Sequence, residues 1–162
     1  LTASIHENVV SNWNWIEALI ASVPIAILVM LIVWINQFQD APSDAAVGKN
    51  TWVVRTAEKG EWMKLEKPLR LYKQFMIEAF VAVALVGALS FFTDFGTVYA
   101  FMALIPIALV WKAFKMADEW MIKWNNPNAD RQKVPYELLL VNVSTIGIHF
   151  LTGILLAVAY IL

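Results

Sequence analysis

The chain reads as an all-α integral membrane protein with four transmembrane helices, both termini outside and two basic loops on the cytoplasmic side. Four observations predict this. Hydrophobic residues make up 60% of the 162 positions and charged residues only 15%, too little polar surface for a soluble domain. Four apolar runs approach or exceed the roughly 20 residues that a helix needs to cross about 30 Å of hydrocarbon. Each run is apolar throughout, without the alternation of a membrane β-barrel. Finally, all twelve Lys and Arg fall in two segments.

In chain order, residues 1–14 form an outer tail, residues 15–36 the first span and residues 37–73 an inner loop. The tail, "LTASIHENVVSN" onward, has neither the basic nor the apolar region of a signal peptide; because the sequence begins at Leu1 rather than Met and its N-terminus is read as translocated, a cleaved signal upstream is the expectation, testable by N-terminal sequencing. The inner loop opens with the turn-rich "QDAPSDAAVG". Two short runs, "TWVVRT" and "EWMKLE", then flank "AEKG" and predict a β-hairpin. "KPLRLYKQF" follows as an interfacial segment, with Leu69, Tyr72 and Phe75 on the membrane surface.

Residues 74–92 are the second span and Thr93 and Asp94 a tight turn; residues 95–125 are the third span with an amphipathic inner extension. In that extension Phe114, Ala117, Met121 and Trp124 lie on one face, and Lys115, Asp118, Glu119 and Lys123 on the other. Residues 126–136, containing "NNPNAD", form the second inner loop, and residues 137–162 the last span. Pro24 and Pro106 fall within spans one and three, where each is expected to kink its helix.

Orientation follows from the cations. Lys49, Arg55, Lys59, Lys64, Lys67, Arg70 and Lys73 lie between spans one and two, and Lys112, Lys115, Lys123, Arg131 and Lys133 between spans three and four. By the positive-inside rule both loops face the cytoplasm or its equivalent. Trp13 and Trp15 would mark the outer interface, and Trp34, Trp111, Trp120 and Trp124 the inner one.

The last span, "VNVSTIGIHFLTGILL", carries a histidine near mid-membrane. Thr145, His149, Gly153 and Ala157 recur every four residues with Asn142 and Thr152 beside them, a small and polar stripe expected to pack against another helix. His149 could contact haem, copper or a quinone, or relay protons; ionisable groups at this depth are functional candidates. A bis-histidine haem or a metal site made by this chain alone fails on counting, because the other histidine, His6, belongs to the outer tail. Helix packing is the favoured role, with a cofactor shared with a partner subunit second.

Glu78 lies about one turn inside the second span, where an ion pair with Lys73, Lys112 or Lys115 is expected ahead of proton coupling. The chain has no cysteine, which excludes disulfides and thiolate clusters. No phosphate-binding loop, hydrolase elbow, zinc-protease motif or dinucleotide fingerprint occurs, nor a basic aromatic stretch for nucleic acid.

These readings lead to an expected function: a non-catalytic accessory subunit of a multi-subunit membrane oxidoreductase, either a respiratory-chain complex or a membrane-bound monooxygenase. Its partners would be other integral membrane subunits and lipid, with any haem, copper or quinone belonging to the host. The expected location is a prokaryotic plasma membrane or an organelle inner membrane. The alternative is a small homo-oligomeric transporter or channel using Glu78 or His149.

Overall fold

The computed structural model describes residues 14–59, 63–93, 95–131 and 133–162. The N-terminal tail with His6 and Trp13, and Asp94 between the second and third spans, lie outside the described residues. Four helices are long and apolar enough to cross a membrane, and the described chain is otherwise short helices and turns. Helix α1 spans Asn14–Ala46, α2 Trp52–Thr56, α3 Glu66–Leu89, α4 Ile107–Trp124 and α5 Leu139–Ala159. Two 3-10 segments, Val98–Leu104 and Val134–Leu138, lead into α4 and α5.

At 1.5 Å per residue α1 is about 50 Å long, well beyond the hydrocarbon thickness. Its last turns still pack against the bundle, with Phe38 and Ala41 fully buried. The helix stops where Gly48 takes a left-handed φ of 74°, with its N–H on the Ala45 carbonyl. Helix α3 also extends further than its apolar run, since Pro68 falls in its first turn, where a missing N–H costs nothing.

The third span is broken rather than kinked. Pro106 cannot donate a helical hydrogen bond and its ring crowds the preceding turn, so Val98–Leu104 winds as a 3-10 segment and α4 restarts at Ile107. The carbonyl of Pro106 then accepts from Leu109 N–H at 2.8 Å.

The expected β-hairpin is replaced by α2. Val53 and Val54 are both buried, which adjacent residues of a strand with one buried face cannot be. Thr51 caps the helix by accepting from Val54 N–H, and the Gln37 side chain accepts from Val53 N–H at 3.3 Å. Residues 60–62 of the expected hairpin lie outside the described residues, and among the described ones its trace is one antiparallel bridge between Glu58 and Lys64.

Packing is concentrated at the basic end. Trp34, Ile35, Phe38, Leu65, Leu69, Tyr72, Met76, Ala113, Ala117, Trp120, Trp124 and Val141 belong to one large buried cluster. The far end holds a small one, Val83, Val86, Ala100, Ala103 and Leu156. Trp34, Trp120 and Trp124 are therefore core residues, correcting the expected aromatic belt, while Trp111 is 77% exposed. Each of the three buried indoles donates to a carbonyl, of Pro68, Val134 and Met63 respectively. The expected interfacial segment is corrected too, because Leu69 and Tyr72 are buried within α3. The apolar face of α4 is as the spacing indicated, but it is covered by protein.

At the far end α3 is joined to the Val98–Leu104 segment by a turn in which Gly96 has φ 81°. A Cβ there would lie 2.3 Å from the Val86 carbonyl oxygen, so the position excludes any side chain. The Gly96 N–H donates to the Glu17 carboxylate at 2.9 Å, tying the start of α1 to this turn.

Candidate functional site

The polar residues of α5 divide into those that brace the bundle and those left without partners. Thr145 is fully buried; its hydroxyl donates to the Val141 carbonyl at 2.8 Å and accepts from the Tyr72 hydroxyl at 2.6 Å. Helices α3 and α5 are thereby joined inside the core. Asn142 donates from Nδ2 to Oδ1 of Asn36 at 2.7 Å, which joins α5 to α1. The Phe114 ring lies edge-on to Tyr72, closing the same layer from α4.

One helical turn away, the hydrogen bonds give out. Thr152 is fully buried with no partner for its hydroxyl, and His149 Nε2 is buried and likewise unpartnered. Asn142 Oδ1 completes the set of orphaned buried side-chain atoms among the described residues. Such groups cost free energy when left unmade, so this part of α5 is where a further polar contact would be most favourable.

The buried face of α5 runs Asn142, Thr145, Ile148, Thr152 and Leu156, with His149 and Gly153 at its half-buried flank. Ala157 lies on the exposed side, which corrects its place in the stripe. A strict repeat of four advances about 400° per step at roughly 100° per residue, so it drifts some 40° each time. The alternating spacings of three and four stay on one face. The Gly153 position meets only Ile25 Cδ1, at 3.9 Å from an added Cβ, which is ordinary van der Waals contact rather than a close backbone approach.

Glu78 does not pair with Lys112 or Lys115. Among the described residues its contact is with Gln74 Nε2, at 2.8 Å on the same helix. Lys73 instead bridges to Asp118 on α4 and lies 5.5 Å over the Phe114 ring. That bridge marks the register of antiparallel α3 and α4, which brings Glu78 level with Ala113, so depth is not the obstacle. Five residues beyond Lys73, Glu78 is rotated by about 140° and points away from α4. Both Lys112 and Lys115 are exposed.

No group of three or more His, Asp or Glu side chains converges on a metal-sized site among the described residues. At the far end Tyr160, just past α5, lines a small groove with Glu17, Ala18 and Ala21. Burial raises the phenol pKa above its ordinary value of 10.0, and the Glu17 carboxylate raises it further.

Sequence reasoning missed Tyr72, Asn36 and Glu17 as bonding partners. Tyr72 was visible only as an aromatic on an apolar repeat, and nothing local marks Asn36 as the mate of Asn142. No family model, curated protein or solved structure matches this chain, so the geometry above carries the functional reading by itself.

Proposed function

We propose that this chain is a non-catalytic accessory subunit that packs against larger integral membrane subunits through the outward face of α3. The observation that carries the reading is the exposed series Gln74, Ile77, Glu78, Val81 and Leu85. These residues recur at helical spacings of three and four and form a continuous seam on a membrane-length helix. A carboxylate and an amide in that seam are unfavourable against lipid and favourable against a helix that supplies polar partners. Inside the bundle, Thr145 and Asn142 support the same reading, since their hydrogen bonds join helices to one another.

The host we propose is a membrane oxidoreductase, with both basic loops on the cytoplasmic side. That choice rests on the kinds of large assembly that carry small helical subunits, and on the unpartnered His149 at mid-helix; no motif specifies it. Native extraction with a mild detergent, followed by a native gel and mass spectrometry, tests both parts. Fixed-stoichiometry migration with larger redox subunits, weakened by Glu78→Leu, is the expected result. Migration with non-redox subunits would keep the accessory role and overturn the oxidoreductase host. If only a homo-oligomer is found, the accessory role is wrong and Glu78 and His149 become the first residues to test in transport.

A further inference from the structure

On the outward side of α4, where it passes α3, lies an open groove of about 370 Å³. Phe114 and the bridge between Lys73 and Asp118 line it toward α3, and Trp111, Lys115 and Glu119 line it along α4. The last three follow at spacings of four, so they form one ridge that advances about 6 Å per step.

That ridge crosses the edge of the membrane. No charged residue occurs from Phe95 to Trp111, and Lys112 is the first cation after the span. At about 2.0 Å per residue in the Val98–Leu104 segment and 1.5 Å thereafter, Lys115 lies about 30 Å from Val98, which is the thickness of the hydrocarbon. Glu119, one turn further, falls within the headgroup layer, while the exposed Trp111 lies one turn inside it.

The neighbouring charges are already taken. Lys73 is paired with Asp118, and Lys123, the favourable partner one turn after Glu119, is held by Glu137 at 2.6 Å. Lys115 and Glu119 form no ion pair among the described residues, and lysine before glutamate is the weaker order for a mutual pair on a helix. The four charged lining residues sum to zero, so the groove offers one cation and one carboxylate a turn apart, with no excess of either sign.

We propose that this groove binds phosphatidylethanolamine, with Lys115 donating to the phosphate, Glu119 accepting from the ethanolamine ammonium and Trp111 donating from Nε1 to a glycerol ester carbonyl. Indole, lysine and carboxylate succeed one another outward in the order in which this lipid presents ester, phosphate and amine. A purely anionic headgroup would set negative charge against Glu119, and a choline headgroup has no N–H to give it. A primary ammonium satisfies the carboxylate while the phosphate satisfies the lysine. Phe114, with Lys73 5.5 Å over its ring, supplies an apolar floor for the first carbons of an acyl chain.

The test uses the full chain in maltoside micelles, titrated with phosphatidylethanolamine or phosphatidylcholine of the same acyl chains and read by native mass spectrometry. Wild type is expected to favour the ethanolamine lipid about fivefold, Glu119→Gln to abolish that preference while keeping phosphatidylcholine binding, and Lys115→Gln to weaken both lipids about fivefold. Lys133→Gln, beyond the end of α4, should change neither. Phosphatidylglycerol is the third titrant: tighter binding of it than of phosphatidylethanolamine, lost in Lys115→Gln, would assign the groove to an anionic headgroup and overturn the proposal. Equal affinity of wild type for the ethanolamine and choline lipids overturns it without any substitution. So does a preference that survives Glu119→Gln, or a Glu119→Gln variant that weakens both lipids alike.

Discussion

Tyr72 and Thr145, from different helices and both fully buried, share a 2.6 Å hydrogen bond between their hydroxyls. Because the Thr145 proton is directed to the Val141 carbonyl, Tyr72 is the donor. Tyr72→Phe removes that donor and leaves Thr145 with its backbone bond, so a loss of about 1 kcal/mol is expected. Thr145→Val removes both bonds and should cost somewhat more. A double-mutant cycle read from denaturant unfolding in micelles should give a coupling of about 0.6 kcal/mol, typical of buried hydrogen bonds in membrane bundles. Strict additivity of the two changes would mean that the bond does not link α3 to α5.

The two left-handed glycines make a second comparison. At Gly48, φ is 74° and an added Cβ meets nothing within 4 Å, so Gly48→Ala carries only the backbone penalty of about 1–2 kcal/mol. At Gly96 the same penalty is joined by an overlap with the Val86 carbonyl oxygen, at 2.3 Å. Gly96→Ala should therefore be clearly the more destabilising in parallel thermal melts. Equal effects would refute the assigned packing of the turn.

Charge placement on α3 gives a third. Lys73 is partly buried against Phe114 while Asp118 is 61% exposed, so solvent screens their bridge. Lys73→Gln is expected to lower stability by well under 1 kcal/mol. Glu78→Gln should leave the isolated chain as stable as wild type, since its contact is with its own helix. A large loss from Glu78→Gln in the isolated chain would show that its carboxylate takes part in the fold.

The pH dependence of Tyr160 has a definite sign. Its folded-state pKa lies above 10.0, raised by burial and then by Glu17, so the folded state holds the phenol proton more tightly than the unfolded chain. The associated stabilisation is complete below pH about 10 and is lost as pH rises through the folded pKa. Ultraviolet titration of wild type minus Tyr160→Phe should show a midpoint above 10, and Glu17→Gln should move it down. A midpoint at or below 10 would contradict the assigned setting of Tyr160 beside Glu17.

The four spans were legible because uninterrupted apolar length is a one-dimensional property; residues 15–36 of the sequence need no partner to be recognised. Faces were harder. Trp34, Trp120 and Trp124 carry the composition of a membrane interface, yet their rings find carbonyls in the core. Trp52–Thr56 is too short for its periodicity to separate strand from helix, and the bond from Val53 N–H to Gln37, sixteen residues away, took part in deciding it. His149 falls midway along α5, but its neighbours were assigned by a repeat that drifts around the helix. Contacts such as Tyr72 with Thr145 join residues far apart in sequence, and no local pattern records them.

The unequal division of the core means that the molecule should not breathe uniformly. Trp34, Phe38, Tyr72, Trp120 and Trp124 interlock at the basic end, whereas the far cluster consists of three valine- or leucine-sized side chains and two alanines, tied to α1 through Glu17 and Gly96. Fewer apolar contacts must separate for the far end to open, so its local opening free energy should be the smaller. Ala100 and Ala113 are both fully buried, one in each cluster, and the chain has no cysteine of its own. A thiol placed at Ala100 should therefore react with a small maleimide well before one placed at Ala113, with the lid of the bundle loosening while its base stays shut.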